Sequence, residues 1–187
     1  MEGVQIRLSK FTREGYRLAD FTIRGELQDG AGAYVIYPDQ FERVIGGLPK
    51  EGRPFLLVRL TRWDGETVML LNEPSAVPFH GGDACLVDLA AGFTDESEIE
   101  SLGILSEAVG EAQELWLPIV CRVLFNPEAY GDAIASNLNV PLTSAEEIGA
   151  DCIIIPALPP RELSNLREPL VPYFLTIEEG LYERRSI

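Results

Sequence analysis

The chain mixes stretches in which apolar and polar residues take turns with short runs that are apolar throughout. Residues 4–8 (VQIRL) and parts of 16–27 (YRLADFTIRGEL) repeat with period two, the mark of strands buried on one face. Gln28, Asp29 and Gly30 read as a turn before a short strand at 33–37 (AYVIY). Residues 38–45 predict one helical turn, with Asp39 near its start and Gly46-Gly47 as its stop. The apolar runs 55–61 and 66–71 flank Arg62-Trp63-Asp64-Gly65, whose Asp-Gly step predicts a hairpin between two paired strands.

A further strand is predicted at 84–89 (ACLVDL). Thr94 followed by acids then predicts the cap and first turn of a short helix ended by Gly103. Residues 115–125 (LWLPIVCRVLF) read as a strand with Pro118 at an edge or bulge. Asn126-Pro127-Glu128 leads into a loop or short helix through Ile134. Ser144-Ala145-Glu146-Glu147 has the form of a capping box, and Gly149 closes the turn it opens. Residues 151–156 form a buried strand, and 170–177 a last strand or docking segment. Many strands at short spacing imply a mainly β fold: an antiparallel sheet, barrel-like or sandwich, with a few short helices rather than βαβ units. One β domain over 1–187 is expected, with the segment from about 157 as an extension, because about 30 residues bury no core of their own.

Composition supports a packed domain: 187 residues, 46% hydrophobic. No apolar run is as long as a membrane span, and the first ten residues lack the apolar stretch of a signal peptide, so a cytoplasmic protein with no membrane partner is expected. Cys85, Cys121 and Cys152 each sit in an apolar segment without CxxC spacing and read as buried reduced thiols.

Charge changes the picture more. The formal net charge is -15, and between Asp88 and Cys121 there are eight acids and no base. Such a surface repels a phosphate backbone, which excludes direct nucleic-acid binding, and favours docking of a basic protein.

Candidate chemistry is sparse. His80 is the only histidine; with Asp83 it could form an acid–base or metal pair, but two groups fall short of a metal site's ligand count and a solvated turn is the simpler reading. No Gly-rich phosphate loop and no nucleophile elbow is present. The acid pairs Asp95-Glu96, Glu146-Glu147 and Glu178-Glu179 read as caps and solvated faces. The expectation is a protein that is not an enzyme and uses no cofactor.

Several fragments in order resemble the flagellar assembly factor FliW: Pro54-Phe55, the strand 68–72 ending in Glu73-Pro74, Leu102-Gly103-Ile104, residues 119–123 (IVCRV), and Ala135-Ser136-Asn137-Leu138-Asn139-Val140-Pro141-Leu142. Together they span roughly 55–155, with Gly47-Leu48-Pro49 as a looser match and residues 143–149 as a departure. The resemblance implies a non-enzymatic regulator that binds flagellin and the basic RNA-binding translational repressor CsrA, relieving repression of flagellin translation. It places partner contacts at Glu73, Pro74, Phe79, Asp83, Asn137, Leu138 and Pro141. Two alternatives belong to other classes: an acidic immunity or anti-defence protein that masks a partner's basic surface, and a hydrolase or metal enzyme built on His80.

Overall fold

The computed structural model describes residues 15–47, 53–129 and 133–184. The strand expected at 4–8 and most of the Gly47-Leu48-Pro49 match lie outside them.

Eight strands close into a barrel: β1 (Arg17–Asp20), β2 (Ala33–Ile36), β3 (Phe55–Arg59), β6 (Ala84–Ala91), β7 (Ile119–Phe125), β8 (Cys152–Ile155), β9 (Tyr173–Glu178) and β10 (Leu181–Arg184). A separate hairpin joins β4 (Thr61–Trp63) to β5 (Val68–Leu70). Among the described residues every neighbouring pair in the barrel is parallel except the two made by β10.

The expected antiparallel sheet is therefore corrected. Parallel barrel strands have both faces covered, so they read as near-continuous apolar runs rather than alternating ones. β2, β6 and β8 are buried at every position, as that rule requires. The alternation at 16–27 arose because β1 runs directly into a four-residue helix, α1 (Phe21–Arg24), at Asp20. The predicted Asp-Gly hairpin is present as β4–β5, with Asp64 Oδ1 accepting from the Glu66 and Thr67 amides at 2.9 Å. Its first apolar run mostly belongs to β3, which pairs in the barrel instead.

The connecting helices are α1, α2 (Phe41–Gly47), α3 (Ala76–Phe79), α4 (Asp95–Glu114), α5 (Ile134–Ile148) and α6 (Pro160–Leu163). α4 runs through Gly103 for 20 residues. A Cβ at Gly103 or Gly110 would meet nothing within 4 Å, so those glycines cost only helix propensity, about 1 kcal/mol each. The buried residues Ser101, Leu105, Ala108, Val109 and Ala112 recur at helical spacing and hold the helix on the sheet. Thr94 Oγ1 caps it by accepting from the Ser97 amide at 3.1 Å, and three acids occupy its first turn.

α5 carries a second correction. Residues 135–142, the last fragment of the FliW resemblance, are helical, and Ala135, Leu138, Leu142 and Ala145 face the core. Pro141 lies inside the helix, while Gly149, at φ 116°, ends it as expected. α4 and α5 cover β6 and β7 on one side, and Phe21 with Val44 covers β1–β3 on the other. The segment after 157, expected as an extension, supplies β9 and β10, which close the barrel. No described helix is long and apolar enough to cross a membrane.

Candidate active site

Period two along each strand sends every second side chain into the barrel. Its lower interior is apolar: Leu18, Val35, Leu57, Leu86, Val120, Ile154 and Phe174 pack together there. Two residues further along four of these strands the character changes, because Leu18, Leu57, Leu86 and Val120 are succeeded on the same face by Asp20, Arg59, Asp88 and Arg122. All four are buried. The result is a charged layer across the upper interior, at the ends of β1 and β3 and midway along β6 and β7.

The layer is internally neutral and closely bonded. Arg122 Nε donates to Asp88 Oδ1 at 2.7 Å, and Arg122 Nη1 lies 3.3 Å from Asp20 Oδ2. Arg59 completes the ring, 3.4 Å from Asp20 and 3.5 Å from Asp88, and also donates to Thr22 Oγ1. Thr22 donates its amide to Asp20 Oδ1 at 3.0 Å, and the Asp88 amide donates to Thr61 Oγ1 at 2.8 Å. Four charges taken from water cost several kcal/mol each unless paired, so the ring holds itself together by necessity.

Burial sets the titration of the layer. It pushes Asp88 up to about 6 against the pull of Arg59, and raises Asp20 against the same guanidinium. For Arg59 burial works against the charge, but Asp88 and Asp20 together outweigh it and raise its pKa. Tyr182 is raised well above the usual phenol value, chiefly by burial and then by Asp20, so it stays protonated. Its oxygen accepts from Arg122 Nη1 at 3.4 Å, which leaves its own proton to donate.

Above the layer opens a cavity of about 660 Å³, lined by residues that follow or end the barrel strands: Thr22, Tyr37, Arg59, Arg122, Phe125, Pro156, Thr176 and Tyr182. Arg62 and Trp63 of the β4–β5 hairpin and Glu179 of the β9–β10 turn form its lip. The C-terminal face is where βα barrels place their chemistry, since loops vary there while the strands hold position. Arg59 Nε is buried without a hydrogen-bond partner, an unspent donor in a residue that lines this cavity.

The residues singled out from sequence lie elsewhere. Glu73, Pro74 and Phe79 belong to the segment between β5 and β6, with Phe79 85% exposed. Asp83 binds Arg53 at 3.2 Å and the Leu56 amide at 3.0 Å, just before the N-terminal end of β6, at the opposite end of the barrel from the cavity. His80 packs edge-on against Phe79, with ring centroids 5.0 Å apart. No hydrogen bond or ion pair joins His80 to Asp83, and among the described residues no three His, Cys, Asp or Glu side chains gather as a metal site. Asn137, Leu138 and Pro141 sit on α5, where Leu138 is fully buried in the core and Pro141 is also buried. Cys85, Cys121 and Cys152 are free and buried, as expected, with burial pushing the Cys85 thiol up to about 12.

No protein-family model matches the sequence, and no curated protein matches it significantly. Solved structures do. An archaeal fructose-1,6-bisphosphate aldolase, with its catalytic Lys bound to a carbinolamine intermediate, superposes with a TM-score of 0.59 at 16% identity over 80% of this chain and 62% of its own. The fructose-bisphosphate aldolase of Slackia heliotrinireducens gives 0.62 at 14% identity over 83% and 59%. A Burkholderia cenocepacia protein described as a phosphonomutase gives 0.54 at 16% identity over 96% and 85%. The chain thus spans about three fifths of the length of those aldolases.

These likenesses establish the βα-barrel fold. They overturn the FliW resemblance and with it the expected regulator of flagellin translation: the matching fragments are short apolar strings that a barrel uses in other ways, Leu102-Gly103-Ile104 within α4 and residues 135–142 within α5. The expectation of a protein without catalysis finds no support in this fold either: the three structures named above that share it are described as two aldolases and a phosphonomutase. The immunity-protein alternative finds no support in these likenesses either.

Proposed function

We propose that this protein is a lyase- or isomerase-type enzyme acting on a small anionic carbonyl compound in the cavity at the C-terminal end of the barrel. The observation that carries the reading is the buried Asp20–Arg59–Asp88–Arg122 layer beneath an open cavity. Its guanidinium groups are held in place before any ligand arrives, and fixed charges in a water-poor site stabilise developing negative charge far better than mobile ones.

Glu179, on the lip, takes a proton from the carbon next to the substrate carbonyl. The electron pair moves onto the carbonyl oxygen, and the resulting enolate is met by Tyr182 O–H with Arg122 behind it. Returning the proton to the same or a neighbouring carbon gives exchange or isomerisation, and the same enolate is the leaving fragment of an aldol cleavage. An imine route has no support among the described residues: the chain's two lysines, Lys10 and Lys50, both lie outside them.

Proton NMR in D2O with pyruvate, oxaloacetate and dihydroxyacetone phosphate tests the reading by following loss of the C–H signal beside the carbonyl. Exchange above the buffer rate is expected with at least one of the three. Glu179→Gln and Tyr182→Phe should slow it by about 100-fold or more, the usual yield of a positioned acid or base. Absence of exchange across the panel, or variants as active as the natural protein, would overturn the proposal.

A further inference from the structure

We infer that the N-terminal end of the barrel carries a docking surface for a basic, amphipathic segment of another protein, in a groove between the β5–β6 connection and α4. It lies at the opposite end from the cavity described above and does not depend on the reaction there.

The groove holds about 560 Å³, and its walls include Leu70, Leu71, Glu73, Ser75, Phe79 and His80. Its apolar residues are open to solvent: Leu70 and Leu71 are partly exposed and Phe79 almost fully. Glu111 Oε1 accepts from the Ser75 amide at 3.0 Å, which joins the groove to the last turns of α4. Glu107, Glu111, Glu114 and Leu115 follow one another at helical spacing, so acids and a leucine share the side of the helix that turns toward the groove. The Cys85 amide donates to Pro118 O at 2.9 Å, setting the starts of β6 and β7 side by side, with Phe79 before one and Trp116 before the other.

Trp116 closes α4 at a cost. Its amide donates to Gln113 O at 3.3 Å and the Leu117 amide to Ala112 O at 2.9 Å, the closing pattern in which glycine usually takes the position that Trp116 holds. Its φ of 56° is the only positive value among the described residues other than glycine, and a side chain there is strained. The indole nevertheless stays 60% exposed, so the fold bears the strain without burying the ring. An exposed indole beside acids offers an arginine or lysine a face to stack on and a charge to meet.

Charge selects the occupant. No Lys or Arg lines the groove, and none lies between Asp88 and Cys121. A second copy in a two-fold contact would bring the same surface, acids against acids. A phosphate backbone is repelled for the same reason. A segment with arginines or lysines on one side and leucines on the other matches both the acids and the apolar walls.

Fluorescence anisotropy of a short labelled Leu/Arg peptide, and of its counterpart with glutamate for arginine, titrated with the full chain, tests the surface. The Leu/Arg peptide is expected to bind at least about tenfold more tightly than the Leu/Glu peptide. Trp116→Gly and Phe79→Ser should each weaken it by about tenfold or more, the loss usual for an aromatic anchor, while Glu42→Gln on α2 leaves it unchanged. Trp116→Gly should at the same time raise the urea midpoint of the free protein, because it relieves the strain and uncovers no core. Equal affinity for the two peptides, unchanged binding by Trp116→Gly, or a lower urea midpoint in that variant would overturn the assignment. A dimer in sedimentation that Trp116→Gly dissolves would give the groove to a second copy and overturn it as well.

Discussion

Asp88 and Arg122 stand directly opposite each other in the β6–β7 register, and Arg122 Nε donates to Asp88 Oδ1 at 2.7 Å inside the barrel. Backbone pairing thus places both charges before either side chain has formed a bond. Arg59 and Asp20 close the ring from the other side, so an apolar barrel carries a polar ceiling at the end where the cavity opens.

Removing one partner of that ring leaves a buried charge without its counterpart. Arg122→Met should destabilise the protein by about 3–5 kcal/mol, because it leaves the buried Asp88 and Asp20 carboxylates short of a cation. The double variant Asp88→Leu with Arg122→Met should cost clearly less than the sum of its single changes. Urea unfolding of the four proteins measures both, and additive losses would show that the two residues are not coupled.

Asp88, Asp20 and Asp151 are all raised by burial, Asp88 to about 6 from an ordinary 3.8. Between those values the folded protein holds a proton that the unfolded chain has released. Stability from this source is complete below about 3.8 and is lost as the pH rises through about 6. The urea midpoint should therefore rise on acidification from pH about 7 to about 5, and Asp88→Asn should flatten part of that slope. A midpoint that falls over the same range, with the same slope in the variant, would contradict the assignment.

Leu138 belongs to the core, not to a docking face. Leu138→Ala should cost about 2–5 kcal/mol, the range for truncating a buried leucine. A loss below about 1 kcal/mol in urea unfolding would place the side chain at the surface instead.

Gly180 has φ +70°, and a Cβ there would lie 2.9 Å from Arg24 Cγ and 3.3 Å from Ile23 Cβ. Gly180→Ala should lose about 1–3 kcal/mol, from left-handed strain plus crowding. It should also slow the deuterium exchange, because the β9–β10 turn carries Glu179 to the cavity. Unchanged stability and exchange would mean that the turn is not held as described.

Parts of this molecule were legible in the sequence. The Asp64-Gly65 hairpin, the Thr94 cap, the Gly149 stop and the buried cysteines are local signals, set by turn chemistry or by apolar neighbours. The barrel was not, because a parallel strand covered on both sides and a short antiparallel strand share one appearance: a brief apolar run between turns. Helices of four residues between strands hid the βα rhythm, and Gly103 looked like an end although α4 has space around it. The charged layer did leave a trace. Arg59 in LLVRL, Asp88 in CLVDLA and Arg122 in IVCRVL each interrupt an otherwise apolar strand, and a lone charge in such a run has to find an opposite charge inside the fold. Chain positions alone could not show that four such interruptions meet in one layer.

The central claim is that ligand enters the cavity above that layer. Amide shift mapping on the 15N-labelled protein with pyruvate, malonate and inorganic phosphate in turn tests it most directly. Perturbations gathered on Thr22, Tyr37, Arg59 to Trp63, Arg122 to Phe125 and Thr176 to Tyr182 are the predicted result. Perturbations centred on Phe79 and His80 at the other end of the barrel, or none with any of the three, would contradict it.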